Sequence, residues 1–82
     1  MIENIKIKPD VEIYHLDNLK IIFEDDKIFI ENTFQRFYIK DINDITLEDG
    51  KYYVCDNELH ESLRIHDDEY IIIKDLLESK KN

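Results

Sequence analysis

Cys55 and the histidines His15, His60 and His66 are the residues of this 82-residue chain whose types best suit nucleophilic or metal chemistry. A cysteine nucleophile needs a thiolate and a base beside it. His60 is a formal base five residues on, but Asp56 and Glu58 surround Cys55 with negative charge, which disfavours the thiolate. Zinc ligands usually come in closer pairs, such as C-x-x-C or H-x-x-x-H, and no such pair occurs. His60 and His66 share a face only if one strand holds both. The run DINDITLEDG sets acids near a glycine, but in an order that does not fit a calcium loop. Ser62 and Ser79 are the only serines, and neither lies in a nucleophile motif. The expectation is a chain with no catalytic residue, no metal and no cofactor, and hence not an enzyme.

Carboxylates are the chemistry the chain has in quantity. It holds 20 acids and 11 bases, for a net charge of −9. Residues 41–69 carry ten of the acids, Asp41, Asp44, Glu48, Asp49, Asp56, Glu58, Glu61, Asp67, Asp68 and Glu69, against Lys51 and Arg64, a net −8. Residues 1–40 carry eight acids and six bases, a net −2. So lopsided a field attracts basic surfaces and repels nucleic-acid backbone and anionic lipid. Bases that stack on aromatics do so in basic grooves, so direct nucleic-acid binding is not expected. Such acids otherwise serve as a solvated face that keeps a small domain soluble. Their functional use is to offer carboxylates to Lys and Arg, as nucleic acid offers phosphates. Tyr52 and Tyr53 are then apolar anchors, because aromatics dominate binding hot spots.

The elements that must position these groups follow from hydrophobic period. Leu19, Ile21 and Phe23 alternate with Lys20, Ile22 and Glu24, and Ile28 and Ile30 alternate in the next segment, which predicts a hairpin of 19–24 with 27–31 around Asp25-Asp26. Asp49-Gly50 lies between ITLE and KYYV and predicts a second hairpin with a type I′ turn, which needs two positive φ angles. Further strands are expected over 11–16, over 35–40 and around Leu63 and Ile65. Segment 68–80 has β-forming residues in Tyr70 to Ile73, yet LLESKK continues a helical period, which predicts a helix capped by Asp67 or Asp68. Tyr70, Ile73, Leu76 and Leu77 then share a face, and Lys80 and Lys81 suit the helix C-terminus. LKIIFEDDKIFIEN and LRIHDDEYIIIKD echo one another; a true repeat would make the second copy a hairpin instead. Most of the acids fall in turns, and turns at one end of a meander would form an acidic rim.

Eighty-two residues make a single small domain, 1–82, mainly β within the α+β class: an antiparallel meander sheet with one C-terminal helix packed on it. The expected core is Leu19, Ile21, Phe23, Ile28, Ile30, Ile45, Leu47, Val54, Ile65, Ile73 and Leu77. Homodimerisation would enlarge so small a core, though the sequence does not demand it. Cys55 is the only cysteine, so no intramolecular disulfide forms. MIENIKIKPD does not read as a signal peptide, and the longest apolar run, Tyr70 to Ile73, is far too short for a membrane span. A soluble, cytoplasmic protein is expected.

The run FYIKDINDITL at Phe37 to Leu47, followed by short hairpins and a final helix, resembles small bacterial pleckstrin-homology-like domains over residues 19–80. That resemblance implies a small adaptor or scaffold module. The profile of a tiny, acidic, cysteine-poor chain without motifs is also similar to phage anti-defence proteins, anti-CRISPR proteins among them. That similarity implies a non-catalytic inhibitor whose partner is a larger protein with a basic, nucleic-acid-binding surface.

Overall fold

Alternation of β-branched and aromatic residues builds strands wherever one face can be buried. In the computed structural model, which describes residues 3–8, 10–56, 58 and 60–80, that rule shapes two compact units, Met1–Lys40 and Asp41–Asn82. The chain is mainly β, antiparallel throughout, with one C-terminal helix.

The first unit is a five-stranded meander of β1 (Glu3–Lys8), β2 (Val11–His15), β3 (Lys20–Glu24), β4 (Lys27–Glu31) and β5 (Arg36–Ile39), in that spatial order. Its register puts Tyr14, Ile21, Ile30 and Phe37 in one cross-strand row, and Phe23, Ile28 and Ile39 in the next row of the same face. Ile21 and Ile30 are fully buried there, with Leu19, Phe23, Phe37 and Ile39 close behind. Tyr14 meets Phe23 edge to face at 5.8 Å. The opposite face carries Ile5, Ile13, Ile22, Phe29 and Tyr38 in a row across all five strands.

The second unit opens on a 3-10 turn, Ile42–Asp44. It continues through β6 (Ile45–Glu48), β7 (Lys51–Asp56) and β8 (Glu61–Ile65) into α1 (Asp67–Lys80). Its three-stranded sheet has the order β6-β7-β8. Register sets Ile45, Val54 and Leu63 in one row and Leu47, Tyr52 and Ile65 in another, all on one face. α1 packs against β7 and the 3-10 turn. Ile73 and Leu77 of α1 are buried, as are Ile45, Val54 and Ile65 of the sheet.

Both expected hairpins form. Asp49 and Gly50 have φ of 52° and 75°, the two positive angles of a type I′ turn. At Asp25-Asp26 only Asp25 is positive, at 54°. The helix spans Asp67–Lys80, so the second half of the sequence echo is helical and not a hairpin. Its cap differs from expectation. The His66 amide donates to Glu69 Oε1 at 3.1 Å, and the Tyr70 amide donates to the His66 carbonyl. His66 therefore stands at the cap, and Asp67 and Asp68 lie in the first turn, where acids suit the helix dipole. Lys81 lies outside the described residues.

Two expected core residues are corrected. Ile28 is only half-buried, and Leu47 is 62% exposed. Leu47 does lie on the helix-facing side, as alternation requires, but on the edge strand β6, whereas α1 packs on β7. Val11, Ile22, Phe37 and Ile39 are buried in addition. β1 is a further strand, whose Ile5 lies opposite Ile13 of β2.

Candidate functional site

The acids do not form one rim. β7 is antiparallel to both neighbours, so the connections alternate between the ends of the small sheet. Asp41 and Asp44, in the turn before β6, share an end with Asp56, Glu58 and Glu61 around the β7–β8 connection. Glu48 and Asp49 share the other end with Asp67 and Asp68, which follow Ile65. The six-residue length of β7 sets the two ends apart, roughly 17 Å at the rise of a strand.

The two clusters differ in what their carboxylates do. At the first end three of the five hold the backbone in turns. Asp41 Oδ1 accepts from the Asn43 amide at 2.8 Å, and Asp44 Oδ2 accepts from the Asp41 amide at 3.4 Å, a reciprocal capping box. Asp56 Oδ1 accepts from the Glu58 amide at 3.0 Å. At the second end Glu48, Asp49 and Asp67 are exposed, and their carboxylates have no hydrogen-bond or ion-pair partner among the described residues. The same is true of Glu58 and Glu61 at the first end, and of Asp75 and Glu78 on α1. Asp68 is exposed and accepts from the Glu69 amide at 3.0 Å.

Glu69 does not belong to the acidic surface. It is 3% exposed and its carboxylate closes the helix cap. An x-x-Glu spacing before a helical run signals that role. Tyr52 and Tyr53, neighbours on β7, point to opposite faces, so they cannot anchor one partner side by side. Tyr53 lies on the face away from α1, with Arg64 opposite it. Tyr52 lies beneath α1 and stacks on Tyr70, with ring centroids 3.8 Å apart and planes at 6°.

Beside that stack a groove of about 650 Å³ opens between β6 and α1. Leu47 and Tyr52 line it from the sheet, and Tyr70 and Ile71 from the helix. Asp67, Lys74, Asp75 and Glu78 continue it along the helix. Ile71 is 59% exposed. In sequence its signal is the run Tyr70-Ile71-Ile72-Ile73: four consecutive apolar residues on a helix cannot all face the core.

The first unit has a hollow of its own between loops 16–19 and 32–35, lined by His15, Lys20, Glu31 and Arg36 among others. Its charges are matched. Glu31 pairs with Lys20 at 3.4 Å and with Arg36 at 3.9 Å, and the Arg36 guanidinium lies 4.0 Å above the Phe29 ring. Phe34, 91% exposed, stands on the 32–35 loop, where Asn32 Oδ1 accepts from the Phe34 and Gln35 amides.

Cys55 is an exposed free thiol on β7 with Ser62 opposite it, and His60 lies in the β7–β8 connection with φ of 54°. Among the described residues no three His, Cys, Asp or Glu side chains converge as a metal site, and no helix is long and apolar enough to cross a membrane. No protein-family model, curated protein or solved structure matches the chain, so the comparisons do not bear on its resemblance to pleckstrin-homology-like or anti-defence proteins.

Proposed function

We propose that the protein is a non-catalytic, acidic protein-binding inhibitor that occupies a basic, nucleic-acid-binding surface of a larger protein. One observation carries the reading: seven exposed carboxylates of the second unit, Glu48, Asp49, Glu58, Glu61, Asp67, Asp75 and Glu78, have no internal partner among the described residues. Carboxylates spread over both ends of a small sheet can meet Lys and Arg side chains that otherwise take phosphates. Such association is fast and weakens with salt, because exposed charges are screened beyond about 8–10 Å at physiological ionic strength.

The test is capture of partners from host extract on the immobilised chain, with duplex DNA or RNA as competitor. The expected partner is displaced by nucleic acid and by rising salt. Reversing Glu48, Asp49, Asp56 and Glu58 to Lys weakens its binding at least about tenfold, and reversing Glu3, Asp10 and Glu12 changes it by less than about twofold, since clustered charges act together. Equal effects of the two sets, or capture indifferent to salt and to competitor, sink the mimic. A second reading is a small cytoplasmic adaptor of pleckstrin-homology-like type. The order of elements favours it: antiparallel strands throughout, then a single closing helix. A partner held through apolar contacts and insensitive to salt would support that role.

A further inference from the structure

The groove between β6 and α1 sets Leu47, Tyr52, Tyr70 and Ile71 beside a rim of exposed acids, Asp67, Asp75 and Glu78. Leu47 is 62% exposed and Ile71 59% exposed. Tyr52 and Tyr70 stack within this lining, ring centroids 3.8 Å apart, and aromatic side chains are where binding energy concentrates. The exposed α1 positions 67, 71, 74, 75 and 78 recur at three- and four-residue intervals, so they form one stripe along the helix. From 67 to 78 the stripe runs about 16 Å at the helical rise. Along it three carboxylates stand against one amine, Lys74, and Gly50 of the β6–β7 turn joins the lining.

Charge selects the occupant. A second copy of this chain would bring the same carboxylates against one another, and like charges across an interface cost affinity. An apolar segment without charge would leave that rim without counter-charges. We infer that the groove is a docking site for a short basic segment of a partner protein, which lays an apolar side chain between Leu47 and Ile71 while flanking Lys or Arg side chains meet Asp67, Asp75 and Glu78. This deepens the inhibitor reading and rests on it: the acids steer the partner, and the groove fixes where it is held.

The test uses the full chain and three short synthetic peptides: lysines with two central leucines, the same peptide with glycines for the leucines, and glutamates with the two leucines. Affinity is measured by titration, and the site is mapped by amide chemical-shift changes. The leucine-bearing lysine peptide is expected to bind most tightly and to shift amides of Leu47, Gly50, Tyr52, Tyr70, Ile71 and Lys74. The doubly substituted Leu47→Ser, Ile71→Ser chain should bind it about tenfold more weakly, the scale expected for two half-buried aliphatic contacts. Both positions are more than half exposed, so this chain is expected to stay folded, which its circular dichroism checks. The Leu47→Lys chain, tested alongside, should also reject the peptide.

If the leucine and glycine lysine peptides bind equally, or their shifts scatter over all acids, the groove is not the anchor, although the acidic reading survives. If no lysine peptide binds, both fall. Tighter binding of the glutamate peptide overturns the charge assignment. Self-association of the unsubstituted chain that disappears in the doubly substituted one would give the groove to a second copy and overturn the inference.

Discussion

The two units solve the same problem, a small antiparallel sheet with one face to cover, and treat their charges in opposite ways. Met1–Lys40 carries eight acids and six bases, and Glu31 sits between Lys20 and Arg36 while Arg36 lies over Phe29. Asp41–Asn82 carries twelve acids and five bases, and much of its acid has no partner among the described residues. In the first unit cross-strand neighbours of opposite sign satisfy each other over an apolar row. In the second the apolar row runs out to solvent at Leu47, beside acids without a partner among the described residues. Surface ion pairs add little stability, ~0–1 kcal/mol each. The difference therefore bears little on folding: one surface is balanced, and the other carries an excess of acid.

The comparison can be broken first through the cores. Ile30→Ala in β4 and Ile73→Ala in α1 each remove a fully buried side chain and should each cost about 2–5 kcal/mol. Leu47→Ala should cost less than about 0.5 kcal/mol, as a surface change does. Urea denaturation of the three variants checks the contrast. A Leu47 effect as large as the Ile73 effect would mean that the groove is part of the core.

The next effect is at the helix cap. Glu69→Ala removes the buried acceptor of the His66 amide and should cost about 1–2 kcal/mol, while Glu69→Gln should lose less because an amide oxygen still accepts. Thermal melts followed in the helical band report both.

The smallest effects compare the hairpin turns. Gly50 has φ of +75° and no atom within 4 Å of where a Cβ would stand, so Gly50→Ala meets only backbone strain, about 1 kcal/mol. Asp25 already bears such strain, with φ of 54°, and Asp25→Gly should stabilise. Its carboxyl is also held above the ordinary value, chiefly by a hydrogen bond with Asp10 and then by the Asp10 charge. A raised carboxyl pKa favours the fold while the group is protonated. That stabilisation is complete below the unfolded value and is lost as pH rises through the folded one. Asp25→Asn should therefore flatten the pH dependence of the melting temperature on the acid side of neutrality; an unchanged profile would refute the coupling.

How much of this was legible follows from what period and turn chemistry can carry. The hairpins at 25–26 and 49–50 were, because alternation and turn residues agree there. The helix was, because LLESKK has no strand period. Leu47 was misplaced because alternation assigns a side of the sheet and not the width of the helix above it. Ile22 was overlooked because alternation sends it to the outer face, yet β3 is the central strand and Ile22 has Ile13 and Phe29 on either side. Glu69 looked like one acid among ten, and only its spacing from the helix start separates it. The groove needs the helix docked on β7, with Tyr70 stacked on Tyr52, and no local pattern encodes that.

β6 is an outer strand of four residues and it ends in Glu48, next to Asp49. An open strand edge is a template on which other copies can grow. A second β6 edge meets repulsion from those carboxylates where the strand ends. Exchanging Glu48 and Asp49 for Gln and Asn would remove that guard and leave Thr46 and Leu47 on an uncharged edge. Colloidal stability is thus written into the β6–β7 turn.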